Sequence, residues 1–508
     1  MNYEKISREY IKNLILLSLV LVLSLVLRIP YIDSIPPGLH GDEAITGLDA
    51  SLILEEGSVP IYSGNALGQP TGPLWITAIL LKYLGYEIMT IRLSMVFFSI
   101  LTIIFFYLLI YELFKKTSIS FFSTLAFSTS LYHLHFSRIA FMLISAPFFQ
   151  ISSLYFLLKF INSNKYFYLI TSAVLLGAGV YSYNSFLAYL GIFLFMLVFF
   201  KLLFKKKFFF TNKNLIIFIS LVLLTASPLL KIAITQSDFY FQHHRTVSIL
   251  NKPELKSNIT LTGKLQEFFS NGLTNLKVFY AGHKVDTVDG FGTLFSFNPV
   301  YLFILLASIL AILVNSRKKH YFLLFLLFLF LFQNLVFFLF FDGIYRRGVV
   351  LISFIFLFYA FFFSNIKKPL GRYILIISQS AVAMINVFFY FKIFPELSSS
   401  RFTFAYELKQ TADVIKSIEK SDVNLLFYSS RWSCNYESLR FMLIKNPYKC
   451  IDASEEFGKK TDLGKKDLPA NFVIVLLDKY IAKKTDFEKN FSTTIKLPQN
   501  AGYILYNQ

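Results

Sequence analysis

Charge is what this sequence has little of. Asp, Glu, Lys and Arg make up 16% of its 508 residues, against 55% hydrophobic residues. Soluble domains carry about 25% charged residues, so an ordinary water-soluble protein is excluded. Phe alone occurs 61 times, too often for one water-soluble core. Cysteine is nearly absent: Cys434 and Cys450 are the two, both in the polar C-terminal stretch. An oxidising exterior permits a disulfide there, but spacing does not fix geometry and two buried thiols fit as well. A nucleotide-triphosphatase phosphate loop, a dinucleotide fingerprint and a clustered Cys/His metal site are all missing. No internal repeat of fixed period is found. The net charge of +19 is split among short loops instead of forming one patch, which argues against a nucleic-acid partner.

Long apolar runs are present instead. About 20 such residues cross a bilayer, and backbone groups in lipid must pair internally, so these runs should be helices. Hydropathy gives about eleven spans, near residues 14–30, 90–112, 119–136, 141–160, 167–183, 186–204, 214–234, 298–315, 321–341, 347–364 and 372–393. The Phe/Leu-rich runs at 321–341 and 347–363 suit lipid-facing helices. Lys5, Arg8 and Lys12 precede the first span, and no small-residue cleavage site follows it, so it reads as an uncleaved helix. Lys115 and Lys116, Lys159 and Lys165, Lys205 to Lys207, Arg317 to Lys319, and Lys367 and Lys368 then mark every second loop. The positive-inside rule puts those loops and the N-terminus in the cytoplasm and the C-terminus outside.

Three segments are left outside: residues 31–89, residues 235–297 and a polar tail from 395 to 508. The tail reads as α/β. Leu408, Ala412 and Ile415 give residues 404–419 a helical face. Residues 423–428 and 472–477 look like buried strands, and residues 436–444 like a second helix. In the first outer loop, residues 42–54 have helical spacing until Gly57 and Pro60 stop it, and Pro73 starts another helix at a favoured position. Both are expected to lie in the interface, where Trp75 and Tyr83 suit the aromatic belt. The expected fold is therefore a polytopic α-helical membrane protein. Residues 1–394 form its transmembrane domain, interfacial helices occupy the first outer loop, and a small α/β extracytoplasmic domain ends the chain.

The stretch Pro36-Pro37-Gly38-Leu39-His40-Gly41-Asp42-Glu43-Ala44 follows the first span. An acidic pair at a membrane surface is costly to keep without a role. Asp42 reads either as the cap of a helix starting at Glu43 or as a catalytic base. Glu43 reads as a partner in catalysis, a metal ligand or a residue placed to suit the helix dipole. His40 reads as a loop residue, and Asp49, two turns on, as a polar surface position.

These residues carry a resemblance. Arg28-Ile29-Pro30, Pro37-Gly38 with Asp42-Glu43-Ala44, Gly57 through Pro60-Ile61-Tyr62, Gly72-Pro73-Leu74 and Arg92-Leu93-Ser94 follow one another in an order that resembles glycosyltransferase family 39 of the GT-C superfamily. Leu134 to Ala140 adds to it. That group includes protein O-mannosyltransferases and aminoarabinose transferases acting on lipid A. The resemblance implies a GT-C-like transmembrane domain in the plasma (inner) membrane. It also implies transfer of a sugar, with inversion, from a polyprenyl-phosphate donor to an extracytoplasmic acceptor: protein, lipid A or another envelope glycan. Asp42 matches the acidic residue proposed there as catalytic, with Glu43 beside it. One carboxylate and cations suffice for such chemistry, because phosphate already leaves as a stable anion, unlike the leaving group of a glycosidase.

Other candidates are weighed against bland readings. Arg138, at an outer boundary, suits a lipid phosphate or simple snorkelling; His133 and His135 are weaker. Arg346 and Arg347 break the positive-inside pattern on a short outer loop and suit the carrier phosphate or anionic headgroups. Tyr181 and Tyr183 suit a sugar pocket or a plain interface. His243, with His244 and Arg245, suits the acceptor site or the surface. Lys284, Asp286 and Asp289 stay uncommitted. Asn258 and Asn490 open glycosylation sequons. No cofactor is indicated, and a divalent metal at the acidic pair is left open. A transporter or flippase is the rival, yet transporters place charge within their spans, and these spans are nearly free of it. A membrane anchor presenting a binding domain explains the tail but not so many spans.

Overall fold

Each of the eleven apolar runs forms helix in the computed structural model, which describes residues 3–58, 60–65, 68–205, 208–251, 260–281, 299–314, 320–340, 344–418, 423–457 and 472–507. Seven helices among the described residues are long and apolar enough to cross a bilayer: Arg8–Arg28, Ile88–Phe114, Met142–Ser163, Ser185–Phe204, Asn212–Thr235, Tyr321–Leu339 and Pro369–Glu396. Tyr166–Tyr181, Leu302–Leu313 and Val349–Asn365 are apolar but shorter. The run expected at 119–136 is not one rod. Thr117–Thr129 ends at Ser130, whose backbone is extended, and Leu131–Ser137 restarts with the Ser130 hydroxyl as its cap. Serine commonly makes this local bond, and hydropathy is blind to it.

Ile88–Phe114 packs along Met142–Ser163, and Val349–Asn365 runs close to both. Residues Val349 to Phe361 of the last helix are all buried. This corrects the lipid-facing reading of its Phe-rich sequence: a helix apolar all round belongs at the centre of a bundle.

The tail carries a five-stranded sheet. Its strands are β3 (Val423–Tyr428), β4 (Tyr448–Asp452), β5 (Phe472–Leu477), β6 (Thr493–Lys496) and β7 (Gly502–Tyr506), in the order β4-β3-β5-β7-β6. β3 is parallel to β4 and to β5, so Leu425 faces Cys450 on one side and Val473 on the other. β7 and then β6 extend the sheet antiparallel. The unbroken apolar run of β5 is what a strand covered on both faces requires. Tyr406–Ser417 packs Leu408, Ala412 and Ile415 inward, the face read from sequence. Glu437–Met442 is the second expected helix. Cys434 and Cys450 form a disulfide.

The first outer loop is sandwiched between bundle and tail. Its hairpin pairs β1 (Tyr62–Ser63) with β2 (Gln69–Pro70). Leu74–Leu84 keeps Trp75 and Tyr83 exposed, as an interfacial helix should. Gly41–Glu56 packs against Glu437–Met442 of the tail, a cover that its amphipathic spacing did not disclose. A Cβ on Gly47 would sit 2.3 Å from the Phe441 ring, so glycine there allows the close approach.

Candidate active site

Two buried arginines shape the segment that leads to Asp42. The Arg92 guanidinium donates to both Glu43 carboxylate oxygens, at 2.8 and 3.0 Å, and to the carbonyls of Ile32, Pro36 and Gly38. Glu43 also accepts from the main-chain N–H of His40 and of Ala140. Arg138 donates to five carbonyls, those of Leu27, Arg28, Pro30, Tyr31 and Ile35. Buried charge survives only where paired and hydrogen-bonded in this way. Gly38 has φ +91°, and Phe404 O would lie 2.2 Å from its Cβ. Here the tail touches the loop: the Leu39 N–H donates to Phe404 O, and the Ser438 hydroxyl donates to Leu39 O.

The helix then begins at Gly41 with His40 as its cap. The Asp42 N–H donates to His40 Nδ1 at 3.0 Å, and Glu43 completes a capping box. So the cap is His40, not Asp42, and the Asp42 carboxylate is left to point elsewhere. It points at Arg346, whose Nη1 donates to Oδ2 in a close ion pair. The Arg346 guanidinium also lies over the Phe141 ring, 4.4 Å from its centroid. Asp42 and Arg346 line a cavity of about 330 Å³ with Thr46, Gln69, Tyr183, Asn184 and His243. The Asp42 side chain is 37% exposed although it sits deep in the protein, because it faces this cavity. Burial pushes its pKa up, but Arg346, His40 and His243 outweigh this and hold the carboxyl below its ordinary value. It is a carboxylate at neutral pH.

Of the residues singled out from sequence, the structure gathers Asp42, Arg346, Tyr183 and His243 at this cavity. It does not gather the others. Glu43 is fully buried against Arg92 and cannot meet a substrate. Arg138 directs both terminal nitrogens to the five carbonyls and is not in the cavity lining, so here it holds the chain. Arg347 lies on the ring of Phe340, 4.2 Å from its centroid, outside the cavity lining. The Tyr181 hydroxyl donates to Thr225 O, and its own carbonyl accepts from Gly72. Asp49 is buried, not a surface residue, and accepts from Ser63, Asn65 and Gln69 to tie the β1–β2 hairpin to the helix. His133 Nδ1 pairs with Arg28 at 2.8 Å, and His135 is walled by Phe136, Tyr390, Phe394 and Phe404. Burial, His243 and Arg347 lower His244 to about 4, so it is neutral. Asn258, Lys284, Asp286 and Asp289 lie outside the described residues. Among the described residues, no group of three or more His, Cys, Asp or Glu is placed to hold a metal ion. Sequence reasoning gave no role to Arg92 or Gln69, whereas Asn184 belongs to the 181–185 stretch read as a sugar pocket or a plain interface, and it does line the cavity. A lone charge in the first turn of an apolar span was the signal for Arg92.

The cavity lies between the first outer loop and the helical bundle. Residues 68–230 match the family described as dolichyl-phosphate-mannose-protein mannosyltransferase, a stretch that begins after Asp42. Among solved structures, the chain is similar to ArnT from Cupriavidus metallidurans. The apo form superposes with a TM-score of 0.55 at 12% identity over 96% of both chains. The form bound to undecaprenyl phosphate gives 0.57 at 10% identity over 96% of this chain and 97% of that one. At such identity the likeness is one of fold. No curated protein matches the sequence.

Proposed function

We propose that this protein is a membrane glycosyltransferase that passes a sugar from a polyprenyl-phosphate carrier to an extracytoplasmic acceptor, with inversion. The single observation that carries the reading is the Asp42–Arg346 pair facing the cavity. The fold shared with an ArnT that was solved with undecaprenyl phosphate supports the choice of carrier.

The chemistry uses both partners. An acceptor hydroxyl attacks the anomeric carbon from the face opposite the phosphate. The new C–O bond forms as the bond to the phosphate oxygen breaks, and the phosphate leaves with the electron pair. Asp42 takes the hydroxyl proton as general base. Arg346 offsets the charge on the leaving phosphate, which a guanidinium can hold through two hydrogen bonds. While Arg346 stays on Asp42 the carboxylate is a weak base. Drawn onto the phosphate, Arg346 withdraws from Asp42, whose buried position then strengthens it as a base. The donor thus switches on the base. Gln69, Tyr183 and Asn184 offer hydrogen bonds to sugar hydroxyls, and His243 lies beside the pair. The pattern of basic loops supports an orientation with the N-terminus inside and the tail outside.

The test is transfer of labelled sugar from purified polyprenyl-phosphate donors in membranes holding wild-type protein or Asp42→Asn. Transfer by the wild type, lowered at least about 100-fold in the variant at equal expression, is expected for loss of a general base. Full activity in a folded Asp42→Asn protein sinks the assignment.

A further inference from the structure

The Gly41–Glu56 helix has a second cavity on its other side. Asp42 and Thr46 face the cavity already described; Leu48, Leu52 and Glu55 face a wider cleft of about 580 Å³. The opposite wall belongs to the tail, with Asn435, Glu437, Arg440 and Tyr448 among its residues. Every tail residue lining the cleft falls between Cys434 and Cys450, so the disulfide closes the very loop that forms this wall. Three hydrogen bonds also fix that loop. The Tyr448 hydroxyl donates to Cys434 O at 2.8 Å, and Asp452 accepts from the Cys434 N–H and the Ser433 hydroxyl. A rigid wall over an open cleft is what a preorganised binding site requires.

The lining says what fits. Aliphatic side chains line it together with two amides, a phenol, three carboxylates and one guanidinium. Glu55, Glu437 and Asp49 stand against Arg440 alone. Asp49 is engaged by the hairpin, which leaves Glu55 and Glu437 as the carboxylates of the lining. Such a surface accepts hydroxyl and amine donors and repels phosphate or sulfate. It also differs from the Asp42 cavity, where Arg346 meets an anion.

We propose that this cleft is an exosite for the acceptor and that the acceptor is a saccharide chain carrying no phosphate or sulfate where it binds. The inference rests on the transfer reading above and narrows its acceptor from protein, lipid or glycan to a glycan. A helix about 10 Å across separates cleft and cavity. The chain therefore binds through a residue remote from the reacting hydroxyl and spends that binding energy on positioning.

The experiment measures binding of fluorescent oligosaccharides to the full-length protein in detergent. The probes are one set of short glucosamine- and N-acetylglucosamine-containing oligomers, each with and without a phosphate ester. Binding of the unphosphorylated oligomers is expected, weakened at least tenfold by the phosphate. Leu52→Trp fills the cleft from an exposed position, and Glu437→Lys inverts one charge of its lining. The first should abolish binding; the second should lose the discrimination against phosphate. Unchanged melting temperatures confirm that both variants fold. Asp42→Asn should bind the oligomers like the wild type, which separates the exosite from the reaction. Three results overturn the inference: no oligomer bound, preference for the phosphorylated set, or binding untouched by Leu52→Trp. A protein that binds oligomers but transfers no sugar from any donor upholds the cleft and defeats the transfer reading; transfer without oligomer binding does the reverse.

Discussion

Asp42 and Glu43 are neighbours in sequence and have opposite fates. One helical step turns Glu43 inward onto Arg92 and leaves Asp42 at the cavity. Sequence alone ranked both as catalytic, because the step that separates them depends on where the helix begins, and His40 rather than Asp42 caps it. The distinction is measurable. Glu43→Gln leaves the Arg92 charge buried with a neutral partner, and breaking such a pair costs about 3–5 kcal/mol. The purified variant should melt well below the wild type, whereas Asp42→Asn should not share that loss. Equal melting temperatures for wild type and Glu43→Gln would remove the structural role. Arg346→Met tests the electrostatics. Burial raises the Asp42 pKa while Arg346 is the largest influence lowering it. As the proposed base Asp42 works as the carboxylate, so activity should fall as pH drops through its folded pKa. Without Arg346 that pKa rises, and the acidic limb of the kcat/KM profile should move to higher pH. The ion pair's contribution to stability, present above the unfolded carboxylate value, is likewise lost as pH falls through the folded one. An acidic limb that stays in place would show that Asp42 is not the titrating group.

The Gly41–Glu56 helix is the element on which the rest turns. It carries Asp42 on one side, a cleft on the other, and Gly47 against Phe441 of the tail. Its helical spacing was legible from residues 42 to 54, but its burial was not. An amphipathic stretch beside a membrane reads as interfacial until the partner that covers it is known, and that partner lies at the other end of the chain. Gly47→Val should force the Phe441 ring away and destabilise the contact by about 1–3 kcal/mol, the usual cost of overpacking. Limited proteolysis of the purified protein should then release the tail faster than from the wild type. An unchanged cleavage rate would mean that the tail is held elsewhere. The break at Ser130 was hidden for a related reason: a serine cap leaves no mark on hydropathy.

At the scale of the whole molecule, local pattern made the architecture legible and left the site half read. The helices follow from apolar runs and bilayer thickness, and the two tail strands from apolar runs of strand length. Asp42, Arg346, Tyr183 and His243 each stood out as an anomaly of position. What joined them could not be seen, since pairing across a bundle has no local signature. Arg138 was read on the same ground: both its terminal nitrogens go to five main-chain carbonyls, a partnership with no local signature.

Asp42 and Arg346 are 304 residues apart. A ribosome adding roughly 5–20 residues each second makes the carboxylate on the order of 15–60 s before its cation. The loop that closes over Asp42's helix, between Cys434 and Cys450, follows later still. During that interval the nascent protein has Asp42 without Arg346 and a helix without its cover from the tail. On the proposed mechanism catalytic competence is therefore an end-of-synthesis property: a chain cut short of residue 346, however well inserted, carries Asp42 without the cation proposed to meet the carrier phosphate.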